Sequence, residues 1–200
     1  LTAEAPVQKF TGGGEGLAAY FGLGVEHLLS GVDHILFVLG LVLLVRQTRA
    51  LIYVITAFTL AHSLTLALSM LGSVTAPSAV VEAIIALSIL FLAVELLRPE
   101  AQRSKIASRY PQLVAFGFGL LHGFGFAGVL GDIGLPRDLA LPALALFNIG
   151  LEVGQLMVVG AALVAGRFLA KPAARYPLVR EVPIILIGGV SVYWLIDRMS

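Results

Sequence analysis

The chain has 200 residues, 58% of them hydrophobic and 12% charged, with a formal net charge of +1 and a mean hydropathy of +0.97. A soluble domain carries about 25% charged residues, so this composition indicates an integral membrane protein. The near-zero charge without a basic tract gives no footing for nucleic-acid binding, and the absence of cysteine excludes disulfides, thiolate metal sites and thiol redox chemistry.

In chain order, residues 1–23 read as an extracytoplasmic N-terminal segment, Gly-rich at 11–16 and then suited to lie along the outer interface through "LAAYFGLGVEH". The chain opens on Leu1, so a processed or partial chain is expected, and a removed signal sequence would suit an outward N-terminus. Six stretches then approach the roughly 20 apolar residues that a membrane helix needs: 25–45, 51–71, 80–97, 112–130, 140–166 and 179–197. They are separated at RQTR, GSVTAPSA, RPEAQRSKIASRYP, GDIGLPRD and GRFLAKPAARYP, where Pro and Gly supply most of the turn chemistry. The predicted fold is therefore all-α: a polytopic membrane protein with a bundle of six transmembrane helices over residues 24–198. No convincing internal repeat is present.

Cytoplasmic loops collect Lys and Arg. With the loop after the first span inside, the inner side holds Arg46, Arg49, Arg98, Arg103, Lys105, Arg109, Arg167, Lys171, Arg175 and Arg180. The outer side holds only Lys9, Arg137 and Arg198, which places both termini outside.

A helix rises about 1.5 Å per residue, so depth follows from position. Asp33 and His34 fall near the centre of the first span, His62 of the second, His122 of the fourth and Glu152 of the fifth. An ionisable side chain at the bilayer centre costs roughly 2.5–3.5 kcal/mol. Meeting one another around a divalent cation would offset that cost, and imidazole and carboxylate suit such ions. On one straight helix His27 and His34 share a face but stand about 10 Å apart along the axis. That is too far for one ion, so His27 is expected on the outer approach, with Glu82. Asp33 can ligate from the flank or orient an imidazole. Asn148, Glu152 and Gln155 form one polar stripe on the fifth span. Gly119 to Gly123 and Gly150 to Gly154 are small-residue pairs that admit close helix approach.

Each of these side chains also has a purely structural role open to it. Intramembrane histidines serve as interhelical hydrogen-bond donors. His27 can sit at the headgroup level. Thr59, Ser63 and Thr65 can bond back to their own helix. Asn148 and Gln155 can be packing contacts, and Glu82 and Glu95 can be solvated carboxylates near helix ends.

The blocks "YFGLGVEHLLSGVDHILFVLGLVLL" (20–44), "TAFTLAHSLTLAL" (56–68), "VEAIIALSI" (81–89), "FGFGLLHGFGFA" (116–127) and "LFNIGLEVGQL" (146–156) together resemble the HupE/UreJ family of membrane proteins. The resemblance covers about residues 20–196. It implies an association with hydrogenase and urease accessory genes, a nickel permease or metal-transport role, and a bacterial inner membrane. The family's His and Asp-His signature maps onto His27, Asp33 and His34, while His62, His122 and Glu152 fall in the other matching blocks. Where the family pattern has an acidic residue followed by Asn at the end of the third span, this chain reads Glu95-Leu96.

The expected function is transport of a divalent transition metal, nickel first with zinc or cobalt open. The expected metal set is His27, Asp33, His34, His62, His122 and Glu152, with Glu82, Asn148 and Gln155 accessory. With only three methionines and no thiol, a Cu(I) site is disfavoured. Histidine must lose its proton to bind metal, so uptake is expected to weaken with acid. Two other readings stay open. One is an intramembrane zinc hydrolase using Asp33 or Glu152 as base, and the other is a non-catalytic membrane subunit. The expected partners are the metal ion and lipid, with a homo-oligomer or larger membrane complex open.

Overall fold

The computed structural model describes residues 15–45, 47–70, 77–125 and 137–199, and every regular element among them is helical. The helices are α1 (Glu15–Ser30), α2 (Val32–Leu44), α3 (Thr48–Met70), α4 (Ser78–Leu97), α5 (Lys105–Arg109), α6 (Pro111–Gly125), α7 (Arg137–Arg175) and α8 (Pro177–Asp197). A short 3-10 turn, Glu100–Gln102, links α4 to α5. The loops expected at GSVTAPSA and GDIGLPRD lie largely or wholly outside the described residues. So do Lys9, Arg46 and the end of the expected fourth span.

Helices α3, α4, α7 and α8 are each long and apolar enough to cross a membrane, and α1 with α2 would make a fifth span as a bent pair. Helix α6 has 15 residues, short of the roughly 20 that a span requires. Among the described residues the protein is thus an all-helical membrane protein with four candidate spans, or five if the bent pair is one. Its outward-facing residues suit that setting: Met157, Val164, Phe168, Ile185, Leu186 and Tyr193 on α7 and α8 are all exposed.

The first expected span is not one straight helix. It breaks at Gly31, and the two halves are bent by 74°. Gly31 has extended backbone angles (φ −77°, ψ 95°), and glycine is a poor helix former. Ser30 donates to the Glu26 carbonyl at 2.7 Å on the N-terminal side of the break. Asp33 opens α2 in its first turn, where a carboxylate suits the positive end of the helix dipole. The helix α1 also begins at Glu15, so residues 17–23 are helical rather than a separate leader to it.

Helix α3 packs closely along α6, α1 along α7, and α4 along α8. The α3–α6 approach depends on Gly119, where a side chain would strike the Phe58 carbonyl oxygen. Gly150 plays the same part between α7 and α1, facing the Phe21 carbonyl. Two apolar cores result. One is centred on Phe37, Phe58, Ile89 and Leu92, the other on Leu28, Leu66, Phe147 and Leu151. The histidines lie between them: His122 rests on Phe37 and Phe58, each 5.1 Å away between ring centroids, and His27 on Phe147 at 5.5 Å.

Glu95 is not a solvated carboxylate, as its place near a helix end suggests. It is 1% exposed, accepts from the Arg98 guanidinium at 2.8 Å and from the Ser104 backbone N–H at 2.7 Å. A charge-assisted pair with a backbone donor makes burial tolerable, and it fixes the turn that leads into α5. Arg103 ties the same turn to the carbonyls of Leu96 and Arg98.

Candidate metal centre

Four histidines from four helices converge. His27 ends α1, His34 begins α2, His62 lies on α3 and His122 on α6. Ring centroids of His34 lie 4.8 Å from His27, 5.3 Å from His122 and 6.2 Å from His62, while His27 and His62 are 6.4 Å apart. The 10 Å separation expected of His27 and His34 on a straight helix is therefore wrong. The bend at Gly31 folds one turn back toward the other and brings both rings to one place.

The hydrogen bonds fix the imidazole tautomers by the chemistry of their partners. The Asp33 carboxylate can only accept, so His34 Nδ1–H donates to it, at 3.1 Å. Asn148 Nδ2 donates to the Leu144 carbonyl at 2.8 Å, which turns its oxygen toward His62, and His62 Nδ1–H donates to that oxygen at 3.4 Å. The Ser88 hydroxyl donates to the Ile85 carbonyl at 2.6 Å, so His122 Nε2–H donates to Ser88 Oγ at 3.1 Å. In a neutral ring the opposite nitrogen is then the one that carries the lone pair. His34 Nε2, His62 Nε2 and His122 Nδ1 are all buried without a hydrogen-bond partner among the described residues.

Buried polar atoms left unpaired cost about 1–3 kcal/mol each. Two of these residues, His34 and His62, form with His27 a group able to hold an electrophile. His27, His34 and His62 offer nitrogens within 4.8 Å of one another. An ion about 2.0–2.1 Å from each nitrogen needs separations of roughly 3.3–4.2 Å, so small side-chain movements close the set. Burial and hydrogen-bonded ring orientation both match the chemistry of a divalent transition ion.

The remaining nominated residues are placed differently. Asp33 orients His34. Glu152 does not join the histidine group but accepts from Thr56 Oγ1 at 2.6 Å. Gln155 Oε1 accepts from Thr59 at 2.7 Å. Glu82 accepts from Ser78 and pairs with Arg198 at 3.2 Å. Thr59, Ser63 and Thr65 bond back to the carbonyls of Ile55, Thr59 and Ala61. Ser88 and Thr56 were not singled out in sequence. The signal for Ser88 was present, as a lone serine inside the apolar run AIIALSIL.

A family model described as HupE / UreJ protein matches residues 4–198, a stretch that contains every residue of the centre. No curated protein and no solved structure matches the chain. With nearly its whole length matched, the chain belongs to the HupE/UreJ family.

Proposed function

We propose that this protein transports a divalent transition metal ion across the bacterial inner membrane, with nickel the first candidate and zinc or cobalt the next. The observation that carries this reading is the set of three bare, buried imidazole nitrogens on three helices, each oriented by a hydrogen bond at the ring's other nitrogen. His27, His34 and His62 form the binding set, and His122 adds a fourth nitrogen beside His34. In this reading α6 belongs to a sixth span and both termini face outward, as the Lys and Arg distribution favours.

The other readings fit less well. A structural subunit using the histidines as interhelical glue would pair their nitrogens rather than leave them bare. A hydrolase needs a carboxylate free to act on a water held at the histidines, whereas Asp33 is engaged with His34 and Glu152 does not join the histidine group.

Nickel binding to detergent-purified protein and nickel accumulation in cells test the proposal together. His34→Ala and His62→Ala are each expected to reduce both by at least about tenfold. Protons compete for the same nitrogens, so binding should weaken in acid. Parental accumulation in either alanine variant would overturn the assignment.

A further inference from the structure

A groove of about 450 Å³ runs between α3 and α7. At one end lie Ala67 and Leu141, and at the other Thr59 and Glu152. Residues 141 and 152 are separated by about 16 Å of helix, roughly half of the ~30 Å hydrocarbon core. The Ala67–Leu141 end belongs to the side that the charge distribution assigns as outer. The groove therefore descends from that surface to mid-membrane. Leucines wall it, but Ser63, Asn148 and Glu152 line it as well.

Glu152 is the unusual member. A carboxylate offers about four acceptor positions, and Glu152 accepts from Thr56 at one of them. Among the described residues no Lys or Arg forms an ion pair with it. Its remaining acceptor capacity opens on the groove. Asn148, one helical turn away on the same groove wall, bonds directly to His62. The groove and the histidine centre are thus separated by a single amide side chain.

We infer that this groove is the access route for the cation and that Glu152 is a separate capture site on it, passing the ion across Asn148 to the histidines. The inference rests on the transport reading above. It moves the approach from the His27 and Glu82 side, where sequence placed it, to the α3–α7 face. A single negative charge at the foot of a low-dielectric cleft concentrates cations there.

The chain has no cysteine, so single cysteines can be read in the otherwise unaltered protein. In membranes treated from the outer side with an impermeant, thiolate-selective reagent, Ser63→Cys and Ala145→Cys should react. Leu87→Cys, exposed on α4 away from the groove, should react at least about tenfold more slowly. Equal, slow reaction at all three positions would mean that acyl chains fill the groove and would overturn the inference. In parallel, Glu152→Gln should raise the nickel concentration for half-maximal uptake by roughly tenfold. Equilibrium binding at the histidines in detergent should change less than about threefold. Unchanged uptake, or a binding loss equal to that of His62→Ala, would also overturn it. If His62→Ala itself takes up nickel normally, the transport reading fails instead, whatever the cysteines report.

Discussion

The rings of His27 and His34 meet edge to face, with centroids 4.8 Å apart, across the 74° bend between α1 and α2. The bend thus sets the geometry of the histidine cluster, and Gly31 occupies its apex. A Cβ there would lie 2.8 Å from His34 Nδ1, 2.9 Å from the His27 carbonyl and 3.1 Å from Asp33 Oδ1.

Gly31→Ala should therefore displace the His34–Asp33 pair without disturbing the packing of α3 on α6. Nickel affinity of the purified protein is expected to fall by roughly tenfold, while its helical circular dichroism stays at the parental level. Titration of both proteins by isothermal calorimetry checks this. Parental affinity in the variant would show that the tight apex is not needed for ligand geometry.

Asp33 should act through His34 rather than as a ligand of its own. Asp33→Asn keeps an acceptor oxygen near Nδ1 but removes its charge, and Asp33→Ala removes both. Loss of a group that orients a metal-binding imidazole typically costs 10–100-fold in affinity. The alanine variant should show about that loss and the asparagine variant less, read as nickel dissociation constants. Equal loss in both would point to direct carboxylate coordination instead.

Glu95 should matter to stability and not to metal. It is buried beneath the turn between α4 and α5 and holds both Arg98 and the Ser104 N–H. Glu95→Ala leaves a backbone donor without its partner, for an expected loss of about 1–3 kcal/mol. Arg98, half exposed, returns to solvent, which keeps the figure within that range. The variant should melt at a lower temperature in a detergent thermal-shift assay yet bind nickel at the histidines as the parent does. Lost binding at full stability would tie this turn to the metal centre.

Much of this protein was legible in its sequence. Composition alone required a membrane setting, because 12% charged residues cannot cover a soluble surface. Expecting His34, His62, His122 and Glu152 at matched depth used only the constant rise of a helix, a premise that the bend at Gly31 removes for the first span. The back-bonding of Thr59, Ser63 and Thr65 followed from short-range geometry that any helix offers.

Sequence could not decide which of the deep polar residues meet. Depth fixes one coordinate, whereas rotation about each helix axis and the bend at Gly31 fix the others, and both depend on packing. That is why His27, expected a full 10 Å from His34, stands beside it, and why Glu152 faces a groove with Thr56 rather than the imidazoles. The partners that orient His122 and His62, Ser88 and Asn148, come from helices far along the chain. Their pairing could not be read locally, because a hydrogen bond between distant segments exists only once the helices are packed.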